Sequence, residues 1–215
     1  MTPRSWSEPL SEGAERRLAR IADLGERSVS VVLFSALALR VGAQAAAKPW
    51  NLAILLPEGL VVLFMLLRRR PQAVSTRPWD WFVALAGTAG PMLVTPGGHP
   101  IATPAVSVGV ILTGLVLSVW GKLTLRRSFG LAAANRGVVD TGAYGFVRHP
   151  IYAGYVISYV GFLLANLSAR NLVIYAVAIA LQVIRINAEE AVLGSDPRYA
   201  AFMSRVRWRL APGLY

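Results

Sequence analysis

The chain contains no cysteine, which excludes disulfides, thiolate metal ligands and a cysteine nucleophile. Histidine is nearly as scarce. The only two, His99 and His149, lie 50 positions apart, with no histidine or carboxylate at ligand spacing around either, so no metal site is expected. No GxGxxG, GxxxxGK[ST] or GxSxG segment occurs, and with them go the usual signals of a Rossmann nucleotide site, a P-loop and a serine-hydrolase elbow. Internal repeats and low-complexity tracts are lacking too. Acidic residues are few, 11 against 22 lysines and arginines in 215 residues, leaving a net charge of +11.

What the chain has in excess is apolar surface. Hydrophobic residues make up 55% of it and the mean hydropathy is +0.51, more than soluble domains carry, which points to an integral membrane protein. A surplus of positive charge could serve nucleic acid, anionic lipid or cytoplasmic loops. Here the basic residues fall in clusters between apolar runs, the positive-inside pattern, and form no continuous face for nucleic acid.

The apolar runs cover residues 28–47, 51–67, 81–95, 105–120, 151–167 and 171–186. They predict an all-α, polytopic membrane protein with six transmembrane helices, or five if the last pair is a partly inserted hairpin, since several runs are short for a bilayer. Before them, residues 11–27 place Leu18, Ile21 and Leu24 on one helical face beside Arg16, Arg17 and Arg20, as an interfacial helix does. The polar character of this segment also predicts that no signal peptide is cleaved from it. After the runs, Asp196 and Pro197 form a helix start, and Tyr199, Phe202, Met203 and Val206 an apolar stripe, which predicts a C-terminal cytoplasmic helix. The division is residues 1–27, an interfacial segment; 28–120, four transmembrane helices; and 121–215, where the chemistry concentrates. Basic residues at the N-terminus, in 68–77, in 122–148 and in the tail belong on one side, while Lys48, His99 and Arg170 lie opposite. Both termini are therefore expected in the cytoplasm.

Two clusters carry the functional signal. In GAYGFVRHPIYAGY, Pro150 suits the first turn of a helix and leaves His149 at its cap, where free N–H groups and Arg148 favour an anion. Tyr152 and Tyr155 follow, with Gly154 permitting close approach of a backbone or a ligand. In LQVIRINAEEAVL, Arg185, Glu189 and Glu190 end an apolar run, and ionisable groups at that depth normally face a cavity or a partner. Arg185 and Glu189 are four apart and can pair on one face; Glu190, about 100° round the helix, has no local partner. The plain alternatives are interfacial anchoring for the first cluster and a buried ion pair for the second. Glu58, between Pro57 and Gly59, is a weaker candidate that either faces a cavity or marks a helix break.

The run LRRSFGLAAANRGVVDTGAYGFVRHPIYAGY, a hairpin with Asn171 at its turn, then RINAEEAVL and DPRYAAFMSRVRWRLAP resemble the isoprenylcysteine carboxyl methyltransferase family. The related membrane phospholipid methyltransferases share the outline. The resemblance rests on RHPxYxG and RxxxEE, separated by one helical hairpin, and covers about residues 120–212. It implies a membrane methyltransferase that takes its methyl group from S-adenosylmethionine, releases S-adenosylhomocysteine, and binds this cofactor in a cytoplasm-facing pocket of the C-terminal half. A lipophilic or prenylated acceptor would enter from the bilayer. Residue by residue, the resemblance puts Tyr144, His149, Pro150, Tyr152, Gly154 and Glu190 near the cofactor, associates Arg185 with activity and the acceptor's carboxylate, and matches Arg148 to the arginine of RHP. As catalytic candidates Arg185 and Arg148 are joined by Glu189, which with Glu190 is a candidate base for an amine acceptor. Phosphatidylethanolamine-type N-methylation, an NADPH-dependent membrane reductase and a non-catalytic lipid-binding subunit are the alternatives.

Overall fold

The computed structural model describes residues 12–43, 55–69, 73–74, 77–130 and 133–215. Each apolar run forms a helix: α1 (Glu12–Gly42), α2 (Leu55–Leu67), α3 (Pro78–Ala89), α4 (Pro104–Leu125), α5 (Pro150–Ala165) and α6 (Ala169–Leu193), with α7 (Pro197–Arg205) after them. Proline stands in the first turn of α3, α4, α5 and α7, where its missing N–H costs nothing. Thr103 and Ser168 cap α4 and α6 with their side chains. Asp196 caps α7 as expected, accepting from the Arg198 N–H at 2.9 Å.

Among the described residues, two segments, Pro104–Ser128 and Ala169–Leu193, are long and apolar enough to cross a membrane, and α5 is apolar but shorter. Val106, Leu112 and Val116 on α4 and Leu172, Val173 and Val177 on α6 are exposed, as lipid contact requires. One boundary differs from the sequence reading: α1 runs through residues 27 and 28 as a single helix of 31 residues, so the amphipathic segment is not separate from the first apolar run. Gly25, just before that junction, opposes a helix by only about 1 kcal/mol. The side chain of Glu58 lies outside what the structure describes.

α4 and α5 cross at very short range. A Cβ added at Gly154 would stand 2.5 Å from the Gly114 carbonyl oxygen and 2.6 Å from the Ser118 nitrogen, so only glycine permits this approach, as in small-residue crossings of membrane helices. α5 turns into α6 through residues 166–168. Asn171 is not at the turn itself: it sits in the first turn of α6 and is fully buried. Its amide nitrogen donates to the carbonyls of Thr95 and Asn166, both at 2.9 Å, and its oxygen accepts from the Thr95 N–H at 3.1 Å. The loop before α4 is thus tied to the hairpin, and His99 adds backbone hydrogen bonds to Leu167 in both directions.

On the opposite end of the bundle, a two-residue antiparallel pair joins β1 (Ala73–Val74) to β2 (Ala134–Asn135). Beside it lies a buried ion network that the sequence did not announce. Arg68 meets Glu26 at 2.9 Å and Asp23 at 2.6 Å, and Arg136 meets Glu26 at 3.3 Å. This joins α1 and α2 to the loop that precedes α5. α7 closes the same end, with Tyr199, Phe202 and Val206 packed on Tyr144 and flanked by Leu125, Val138, Val139, Leu193 and Met203.

Candidate functional site

The start of α5 is fixed from two directions. Pro150 occupies its first turn and His149 its cap. The chain just before it pairs with the tail: the Arg148 N–H donates to the Trp208 carbonyl and the His149 N–H to that of Arg209, each at 2.9 Å. The Arg148 guanidinium also donates to the carbonyls of Val206 and Arg207.

Glu190 completes this clamp. One carboxylate oxygen lies 2.8 Å from Arg148 Nε and 3.1 Å from His149 Nε2, while the other accepts from Arg209 at 2.7 and 3.0 Å. The partner missing from the local sequence is therefore supplied threefold by distant segments. Its carboxylate raises the Arg209 guanidinium above its usual range.

Glu189, one residue earlier, faces elsewhere. It accepts a short hydrogen bond from the Tyr152 hydroxyl, lies 3.4 Å from Arg185 Nε and 3.7 Å from His149 Nδ1. These groups line a cavity of about 350 Å³, within the range of small-molecule sites. One wall is α5, whose Tyr152, Tyr155 and Tyr159 recur at helical spacing, and the facing wall is α6, with Gln182, Arg185 and Glu189. Tyr144, Tyr199, Phe202 and Arg136 close one end; Gly87, Thr88, Pro91 and Met92 form the other. Met92 is 66% exposed, so this end reaches the apolar outer surface. The Arg185 guanidinium lies 5.2 Å from the centre of the Tyr152 ring and 3.5 Å from the Thr88 hydroxyl.

The electrostatics of the closed end follow from burial. Burial raises the phenols of Tyr144 and Tyr199, which stay protonated. It also pulls the Arg136 guanidinium down to about 10, opposed by Glu26. The Tyr199 hydroxyl and Arg136 Nε are buried without a hydrogen-bond partner.

Of the residues singled out in the sequence, Tyr144, Arg148, His149, Tyr152, Arg185 and Glu189 line this cavity. Pro150, Gly154 and Glu190 do not. Pro150 starts α5, Gly154 is consumed by the crossing with α4, and Glu190 holds the clamp. Sequence reasoning missed Thr88, Arg136, Tyr159 and Gln182 as wall residues. Only Gln182 carried a usable signal, a polar residue three before Arg185 in an apolar run. Among the described residues, no cluster of three or more histidine, aspartate or glutamate side chains is placed to hold a metal ion.

A comparison with curated proteins gave no match. The model of the isoprenylcysteine carboxyl methyltransferase family, in contrast, matches residues 107–195. That stretch runs from α4 through the end of α6 and contains both RHPxYxG and RxxxEE. The resemblance read from the sequence is thereby borne out over α4, α5 and α6, where the chain is similar to the isoprenylcysteine carboxyl methyltransferase family.

Proposed function

We propose that the protein is an S-adenosylmethionine-dependent membrane methyltransferase that esterifies the carboxylate of a lipophilic, prenylcysteine-like acceptor. The observation that carries this reading is the lining of the cavity. Tyr144, Tyr199 and Phe202 line one end and Thr88, Pro91 and exposed Met92 the other, and the same cavity holds Glu189 with Tyr152 and Arg185 as its neighbours.

The residues at the closed end suit the cofactor. Glu189 and the tyrosine faces attract a sulfonium by charge and by cation–π interaction. The unpartnered Tyr199 hydroxyl is available to a polar group of the nucleoside, and His149 with the first turn of α5 offers N–H donors to an amino-acid carboxylate. S-adenosylmethionine supplies an electrophilic methyl group and departs as S-adenosylhomocysteine.

Arg185 orients the acceptor. Its position between Thr88 and Glu189 sets a carboxylate beside the tyrosine wall, and an ionised carboxylate needs no general base. The tail and α7 exclude water from the closed end, and positioning of this kind can lower a barrier by about 7 to 11 kcal/mol in favourable cases. Glu190 acts at one remove, by holding Arg148, His149 and Arg209 in place. In the bilayer, the six apolar helices cross or enter the membrane with both termini on the cytoplasmic side, and the lipid part of the acceptor passes Met92.

The test is transfer of labelled methyl from S-adenosylmethionine to an S-prenyl thioether acid by the purified protein. A base-labile product establishes the ester. A base-stable methylamine formed on phosphatidylethanolamine would establish N-methylation in its place.

A further inference from the structure

The face of α4 turned away from α5 leads to a second recess. Gly114, Ser118 and Gly121 meet α5, while on the opposite face Leu112, Val116, Trp120 and Leu123 are all exposed. Their spacing of four, four and three keeps them on one stripe. From residue 112 to 123 that stripe rises about 16 Å, close to the depth of one leaflet of bilayer hydrocarbon, about 15 Å. It stops at a groove of about 550 Å³ lined by Trp120, Leu123, Thr124, Arg126, Asp140 and Thr141. Val138 and Val139 line both this groove and the cavity described above, and so form the partition between them. The exposed Phe146 ring lies 5.9 Å from that of Trp120, an aromatic pair of the kind that marks the boundary between hydrocarbon and headgroups.

The charges around the groove are already matched, with one exception. Asp140 is paired with Arg205, and Arg127 Nε donates to the Leu67 carbonyl at 3.0 Å, on the side of α2. The Arg126 guanidinium enters no ion pair or hydrogen bond among the described residues. Its backbone has φ of +46° at the end of α4, a conformation that helix ends ordinarily give to glycine. The turn alone would therefore be better served without a side chain. We propose that this groove binds an anionic phospholipid of the phosphatidylglycerol type, with an acyl chain along the 112–123 stripe and the phosphate against Arg126 and the Thr141 hydroxyl. The stripe sets Arg126 just beyond one leaflet of hydrocarbon, where lipid phosphates lie and a cation attracts them. A zwitterionic headgroup gains less, because its cation finds the Asp140 carboxylate occupied. The proposal rests on the membrane placement of α4 and is independent of the methyl-transfer reading.

The experiment is native mass spectrometry of the delipidated full chain in non-ionic detergent, titrated with phosphatidylglycerol and, separately, with phosphatidylcholine of the same acyl chains, with Tm followed in parallel. The parent protein binds one phosphatidylglycerol on the order of tenfold more tightly than phosphatidylcholine, and its Tm rises on binding. Arg126→Gly relieves the backbone and keeps or raises the lipid-free Tm, yet loses the preference. Arg126→Gln, which removes the charge and leaves the backbone as it is, loses it too. Arg198→Gln, which removes an exposed charge on α7, retains it. Equal affinity of the parent protein for the two lipids, a preference that survives in either Arg126 variant, or one lost equally in Arg198→Gln overturns the proposal.

Discussion

The two faces of α5 solve opposite problems with the same backbone. Toward α4 it presents Gly154, Ser158 and Gly161, and the helices touch through their main chains. Toward the cavity that separates it from α6 it presents the large rings of Tyr152, Tyr155 and Tyr159. Farther along, Tyr159 stacks on Tyr175 with ring centres 4.4 Å apart, and Phe162 meets the same ring edge-on, so the gap closes beyond the cavity. Side-chain volume alone decides which side of a helix packs and which side binds. The small-residue face packs against α4; the tyrosine face borders the cavity.

That contrast is broken most severely by placing a side chain on the wrong face. Gly154→Val forces a branched side chain against the backbone of α4; overpacking commonly costs about 1–3 kcal/mol, and contact with main chain puts this case at or above the upper end. The expected result is loss of the monodisperse species in size-exclusion chromatography.

Adjacent glutamates sharpen the comparison next. Glu190→Gln leaves Arg148 and Arg209 without their shared anion, and breaking such a buried pair costs about 3–5 kcal/mol. Its expected signature is a strongly lowered Tm in detergent. Glu189→Gln, on the cavity side, should leave Tm closer to that of the parent but weaken binding of S-adenosylhomocysteine. If Arg185 orients the acceptor as proposed, Arg185→Ala removes methyl transfer while changing the affinity for S-adenosylhomocysteine little. The mildest change is Tyr152→Phe, which deletes one hydrogen bond to a carboxylate, worth about 1.5–3 kcal/mol. Direct titration should show weaker cofactor binding with the fold intact by circular dichroism.

Much of the architecture was legible because its signals are local. Pro150, Pro197 and Asp196 announce helix starts through φ restriction and capping, and the apolar runs announce the helices themselves. The pairing of Arg185 with Glu189 follows from a spacing of four. The role of Glu190 was not legible. Its partners come from Arg148, 42 positions earlier, and Arg209, 19 later, and no periodicity within α6 reports them. The same holds for Glu26, Arg68 and Arg136, whose pairing depends on how α1, α2 and the following loop meet. Gly154 permits close approach of a backbone or a ligand, and the backbone of α4 takes that space. A polar residue such as Asn171 ordinarily sits at a hairpin turn, yet Ser168 caps the helix and Asn171 is turned inward to the Thr95 loop.

The account stands most directly on one titration: S-adenosylhomocysteine into the purified protein, into Glu189→Gln and into Glu190→Gln at a temperature where all three are folded, with NADPH as the comparison ligand. The prediction is binding by the parent protein, marked weakening in Glu189→Gln and a smaller change in folded Glu190→Gln. Binding of NADPH alone, or no binding of either ligand by folded parent protein, would contradict it.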